Sequence, residues 1–154
     1  MMQELLNNSS NRQILFVGIG NVLKRDDGVG VYITQHLHPN ARLRGLTVEV
    51  SIENYIGKIN SLAPDILIQI DCMDLQAQPG HWELLPVESI HGHTTNTHNI
   101  SLDRVCELFN SQVYILGIQP RHITLGENLS PQVKRTANAL IDKINQVSQV
   151  SKNC

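Results

Sequence analysis

Two carboxylates and one imidazole stand at three separate positions of the chain where a metal site or a proton-transfer site could form. Asp27 follows an apolar run that ends in Gly-Ile-Gly, Asp71 ends a second apolar run, and His98 closes a polar loop. Such groups bind divalent ions like Ni²⁺ or Zn²⁺, and three protein ligands leave a coordination position open. Without a metal, the same trio could act as a carboxylate base with an imidazole partner. The residues themselves leave both chemistries open.

The elements around these residues predict how the chain brings them together. Apolar runs at 13–18, 65–71 and 112–117 are typical of strands buried in a parallel sheet, and residues 46–52 and 81–84 alternate like further strands. Helical spacing of apolar residues occurs at 27–38, 54–62 and 101–109, and again after Ser130-Pro131. The alternation predicts an α/β fold that binds ligands at the carboxyl ends of its strands. We expect the trio at that edge.

The segment after the first predicted strand is rich in glycine and acidic residues. Asp26 and Asp27 stand where a helix dipole favours negative charge, so capping of the next helix is an alternative to a binding role. Gly28 is a poor helix former directly after them, which suggests close approach to the backbone. Gly18 and Gly20 lack the third glycine of the dinucleotide-binding fingerprint, which disfavours a nucleotide site.

Composition limits the class of protein. The chain has 154 residues, 41% of them hydrophobic, and a net charge of -2, which suits one globular domain without a basic surface for nucleic acid or membrane. No run is long enough for a membrane span, and the first residues lack a signal-peptide pattern. Three separated cysteines predict reduced thiols in the cytoplasm, with Cys72 a buried thiol rather than a nucleophile. We expect a flexible arm over 1–11, one α/β domain over 12–148 and a flexible tail over 149–154.

Four segments, in order, resemble the hydrogenase maturation endopeptidases, which trim the C-terminal extension from the large subunit of nickel–iron hydrogenases. The segments are GIGNVLKRDDGVG, DILIQIDCMDLQAQPG, TTNTHNISL and VYILGIQP. The step His98-Asn99 and the sequence LGIQP at 116–120 are most similar to the branch that serves formate hydrogenlyase-type complexes. The resemblance implies a three-layer sandwich, with a five-stranded, mostly parallel twisted sheet between helices and residues 81–84 as the antiparallel strand.

The resemblance also implies a role for the trio. Two acidic residues and one histidine bind nickel in that family, and position by position these are Asp27, Asp71 and His98. Some members carry Glu where Asp27 stands, and Asp26 is a possible substitute for it. The implied nickel ion arrives with the precursor and is absent from the resting enzyme. The ion either polarises the scissile carbonyl or a water, or it only positions the bond while Asp27 or Asp71 acts as the catalytic base.

The remaining predicted site residues are those expected to line the substrate cleft. They are Gly18, Gly20, Asn21, Asp26 and Gly28, because glycines let a peptide backbone approach closely. Two rival functions stay open from the sequence. One is a nickel carrier that uses the same ligands without cleaving a peptide, and the other is a nucleotide-binding α/β protein.

Overall fold

The computed structural model describes residues 2–8, 11–49, 51–90 and 107–150. Its strands are β1 (Ile14–Ile19), β2 (Leu43–Glu49), β3 (Ile66–Cys72), β4 (Trp82–Pro86) and β5 (Gln112–Ile118). Its α-helices in these ranges are α1 (Met2–Asn8), α2 (Val29–Gln35), α3 (Ile56–Leu62) and α4 (Pro131–Val150). Single turns of 3₁₀ helix at Arg25–Gly28 and Ile52–Tyr55 lead into α2 and α3. No helix in the described part of the chain is long and apolar enough to cross a membrane.

The five strands form one mixed sheet in the order β2-β1-β3-β5-β4. Strand β1 pairs in parallel with β2 and β3, β3 pairs in parallel with β5, and β4 is antiparallel to β5. Every residue of β1 and β3 is buried, as predicted from apolar runs without alternation. The predicted α/β fold and its single antiparallel strand are confirmed.

Helices cover both faces of the sheet. Alternate residues of the strands enter two different cores, since successive side chains of a strand point to opposite faces. Phe16 and Ile68 pack with α1, α2 and α4 on one face, and Val17 and Leu67 pack with α3 on the other. The helix predicted at 101–109 lies almost wholly outside the described residues, so that prediction stays open.

Three predicted boundaries differ from the structure. Residues 2–8 form α1 instead of a flexible arm, because Met2 and Leu6, four positions apart, bury their side chains in the core. Strand β2 begins at Leu43, before the predicted start, and ends at Glu49 because the chain then enters a 3₁₀ turn. Helix α4 continues to Val150, past the predicted start of the tail. The limits of 12–148 for the domain remain a prediction.

Candidate functional site

The carboxyl ends of the two central strands carry the two predicted carboxylates. Strands β1 and β3 run in parallel, with Gly18 opposite Ile70, so the turn after β1 and the end of β3 share one edge. Asp27 lies in the 3₁₀ turn that leads into α2, and Asp71 is the penultimate residue of β3. Both side chains are buried, with 9% and 3% of their surface exposed. Two residues far apart in sequence therefore meet at the edge where the fold predicts a site.

The electrostatics of Asp71 show that these carboxylates are neighbours. Burial raises the pKa of Asp71 well above its usual range, and the charge of Asp27 raises it further. The backbone N–H of Cys72 opposes this shift by hydrogen bonding to the charged form. The Oδ1 atom of Asp71 is buried and has no hydrogen-bond partner among the described residues. A proton or a cation between the two carboxylates would relieve both the unmet acceptor and the repulsion.

Asn21 holds the turn that presents Asp27. Its backbone N–H donates to Asp27 Oδ2 at 2.9 Å, and its side-chain Oδ1 accepts from the backbone N–H of Leu23 at 2.9 Å. The backbone N–H of Asp27 in turn donates to the carbonyl oxygen of Lys24 at 3.1 Å. The structure thus places Asn21 beside the site, where its backbone contacts Asp27 and its carboxamide stabilises the loop.

Glycines at this edge allow backbone segments to pack closely. Gly20 has φ of 142°, and a Cβ there would lie 1.8 Å from the carbonyl oxygen of Asp27. Gly18 is buried in β1, and a Cβ there would lie 2.3 Å from the carbonyl oxygen of Gly30 in α2. Gly18 therefore serves helix–strand packing, and its place in the substrate cleft stays a prediction. Gly28 packs against the backbone of Val22, 2.8 Å from the position of an added Cβ.

Asp26 has a different environment from its neighbour Asp27. It is fully buried, and its Oδ1 accepts the backbone N–H of Ser130 at 2.7 Å. Its Oδ2 accepts the backbone N–H groups of Arg121 and His122 at 2.9 and 3.0 Å, and the Ser130 hydroxyl at 2.8 Å. These bonds tie the turn before α2 to the loop before α4. They account for both carboxylate oxygens and give Asp26 an anchoring position, and its predicted contact with substrate stays a prediction.

Two further predicted residues have different outcomes. His98 lies outside the described residues, so its place beside the carboxylates stays a prediction. Within the described ranges, no group of three histidine, cysteine or acidic side chains could hold a metal ion.

Cys72 is a buried free thiol, as predicted. Burial raises the pKa of this thiol, and the charge of Asp71 raises it further. A thiol that keeps its proton is a poor nucleophile.

Sequence analysis missed one polar side chain close to Asp71. Gln69 is 2% exposed, and its buried Oε1 has no hydrogen-bond partner among the described residues. It stands two positions before Asp71, so both side chains lie on the same face of β3. The available signal was a single amide inside an otherwise apolar run, a pattern that by itself predicts only a strand.

A family model and a known protein of similar sequence both carry the description of hydrogenase maturation protease. A family model described as HycI, hydrogenase maturation protease, matches residues 48–147. A Methanocaldococcus jannaschii protein, named provisionally as a hydrogenase maturation protease, is 26% identical over 96% of this chain and 95% of its own length.

Solved structures agree with the sequence matches. The crystal structure of the nickel–iron hydrogenase maturation protease HycI from Thermococcus kodakarensis has a TM-score of 0.80 and 25% identity, covering 93% of this chain and 97% of that one. The endopeptidase HycI from Escherichia coli has a TM-score of 0.73 and 21% identity, covering 87% and 90% of the two chains. The second likeness supports the fold alone.

Proposed function

Because this chain belongs to the family of hydrogenase maturation proteases, which are endopeptidases, we propose that it removes the C-terminal extension of a nickel–iron hydrogenase large-subunit precursor after nickel insertion. Family membership makes the chain a peptidase that processes a hydrogenase large subunit. The nickel-loaded state of the precursor, the residues that recognise it and the aspartic type of the hydrolysis are the proposed parts.

Recognition of nickel rests on one observation, the buried Oδ1 of Asp71 that lacks a donor in a carboxylate whose pKa the charge of Asp27 also raises. A divalent cation carried by the precursor would neutralise Asp27 and Asp71 together, and His98 would supply the third ligand. A site of this kind gains binding energy only when the substrate brings the metal. The difference in affinity between loaded and unloaded precursor then acts as a checkpoint.

Hydrolysis is assigned to the same carboxylate pair. A carboxylate that accepts a proton from water produces a nucleophile for the scissile carbonyl, and the proton then passes to the leaving amine. Asp27 is proposed as this base because it is the more exposed of the two carboxylates. Asp71 is proposed mainly as a nickel ligand, since its burial makes its charged form costly without a cation.

The direct test is to incubate the purified protein with its large-subunit precursor, loaded with nickel or nickel-free, and to measure the mass of the product. We expect shortening of the loaded precursor only. Asp27→Asn, Asp71→Asn and His98→Ala should abolish shortening, while Asp74→Asn, at an exposed carboxylate three positions from Asp71, should retain it.

Three other outcomes would contradict the proposal. If the protein binds the loaded precursor without cutting it, a nickel carrier is the better description. If nucleotides stabilise the protein against heat and divalent metals do not, the chain is better described as a nucleotide-binding protein. If the three site variants cut at the normal rate, the residue assignment is wrong even though the activity stands.

Two finer assignments belong to the same proposal. The cytoplasm is the proposed location, which is supported by the free thiol of Cys72. The formate hydrogenlyase-type branch is the proposed branch, which is supported by the match to the HycI family model.

A further inference from the structure

Two loops beside the candidate site are joined into one unit, which we call the loop platform (residues 21–25 and 121–129). The backbone N–H of Arg25 donates to the carbonyl oxygen of Gly126 at 3.0 Å, and the N–H of Gly126 donates to the carbonyl oxygen of Leu23 at 2.9 Å. The carboxylate of Asp26 then binds the second loop at both of its ends, at Arg121 and at Ser130. These bonds fix the relative position of the loops before any partner arrives.

The loop platform exposes an unusual amount of apolar surface. Five large apolar side chains of the described residues are exposed, and four of them lie on these loops: Val22, Leu23, Ile123 and Leu125. Leu125 is 80% exposed. Scattered apolar side chains on a surface are ordinary, but a group of them on loops that hydrogen bonds hold together is typical of a binding surface.

A cavity of about 180 Å³ lies next to the loop platform, between α2 and α4. Val22 and Leu129 contribute apolar walls, and Arg25 and Lys134 contribute positive charge, with no acidic side chain in the lining. Gly28 also lines the cavity, and it follows Asp27 directly in the chain. The cavity is therefore lined in part by the 3₁₀ turn, Arg25–Gly28, that also carries the proposed catalytic base.

We propose that the loop platform and its cavity bind the polypeptide of the hydrogenase large-subunit precursor beside the bond that is cut. The cavity receives an apolar side chain of that segment, and Arg25 and Lys134 pair with an acidic side chain next to it. This inference rests on the proposed function, because an endopeptidase must hold a polypeptide across its catalytic group. The turn shared with Asp27 and the positive charge of the cavity select this occupant.

The test compares steady-state cleavage of the nickel-loaded precursor by four variants. Leu125→Ser and Lys134→Glu should each raise KM about tenfold while kcat stays within about twofold, because the contacts they remove bind substrate equally before and during reaction. One matched control is Leu108→Ser, which removes an apolar side chain that is exposed but lies outside the loop platform. The other is Arg135→Glu, a charge reversal one position along α4 from Lys134. Both controls should keep the KM of the wild type.

A charge exchange tests the proposed ion pair. A precursor in which the acidic residues next to the cut bond are changed to lysine should be cut poorly by the wild type and better by Lys134→Glu.

Four results separate the hypotheses. If the wild type does not cut the precursor, the proposed function fails. If it cuts and the two platform variants keep its KM, this inference fails. If the charge exchange gives no recovery, the acidic partner is wrong. If Leu125→Ser changes the oligomeric state and leaves KM unchanged, the platform binds a second copy of this chain instead.

Discussion

Replacing Asp71 by Asn should abolish processing and at the same time stabilise the folded protein. The wild-type chain buries a carboxylate whose Oδ1 has no donor among the described residues and whose neighbour Asp27 adds like charge. Asn has the same shape, keeps an oxygen for the Cys72 N–H, and carries no charge. Its amide group can also donate where the carboxylate could not, so the folded state loses a penalty rather than a contact.

The size of the effect follows from the cost of an unmet buried acceptor, about 1–3 kcal/mol. A chain of 154 residues shifts its melting temperature by about 2–4 °C for each kcal/mol. We therefore expect Asp71→Asn to melt about 2–12 °C above the wild type at pH 7 in the presence of a chelator. Added Ni²⁺ should narrow this gap, because a cation relieves the repulsion only where both carboxylates are present.

The difference in melting temperature between Asp71→Asn and the wild type should also depend on pH, and the raised pKa of Asp71 sets the direction of this dependence. The folded-state pKa of Asp71 is raised, so its stabilising contribution is complete below the unfolded pKa of about 3.9 and is lost as pH rises through the folded value. The wild type should therefore lose stability relative to Asp71→Asn as pH rises above about 4. Calorimetry or circular dichroism from pH 4 to pH 8 measures both curves. A melting temperature of Asp71→Asn below that of the wild type at pH 7, with the melting temperature of the exposed control Asp74→Asn unchanged, would contradict this prediction.

Three other substitutions test separate parts of the structure. Asp26→Ala should lower the free energy of unfolding by about 3 kcal/mol in chemical denaturation, because it removes a fully buried carboxylate that accepts four hydrogen bonds from the loop before α4. A loss below about 1 kcal/mol would contradict the anchoring role. Gly18→Ala should lower the free energy of unfolding by about 1–3 kcal/mol in the same assay, because the added Cβ overpacks the site. At Gly57 an added Cβ meets nothing within 4 Å, so Gly57→Ala should leave this free energy unchanged or raise it by up to about 1 kcal/mol. Cys72 should resist iodoacetamide in the folded protein and react after denaturation, since its thiol is buried and holds its proton. Peptide mass measures the labelling, and rapid labelling of the folded protein would contradict this prediction.

The central strands were predictable because burial on both faces leaves an unbroken apolar run. Strands β1 and β3 show this most clearly, and their pairing brought Asp27 and Asp71 to one edge as expected. Helix α1 was missed because its segment is mostly polar, although Met2 and Leu6 carried a weak helical signal. A short helix with two buried side chains forms through packing on the core, which local sequence does not reveal.

The partners of Asp26 and Gly18 could not be predicted for a different reason. Asp26 binds mainly backbone N–H groups about a hundred residues away, and any residue but proline offers such a group. Gly18 meets the backbone of α2, which again leaves no mark on the sequence of its partner. Residue types indicate chemistry, but contacts made with distant backbone become visible only in the folded structure.

The doublet Asp26-Asp27 shows how one turn can link recognition to catalysis. Neighbouring residues in a 3₁₀ turn point in different directions, so Asp26 binds the loop before α4 while the charge of Asp27 acts on Asp71. The bonds of Asp26 fix the turn, and the turn fixes Asp27. The hydrogen bonds of Asp26 therefore connect the loop platform, the proposed substrate surface, to the turn that carries Asp27. A precursor that docks on the loops is held at a set distance from the catalytic base, which is what cleavage at one chosen peptide bond requires.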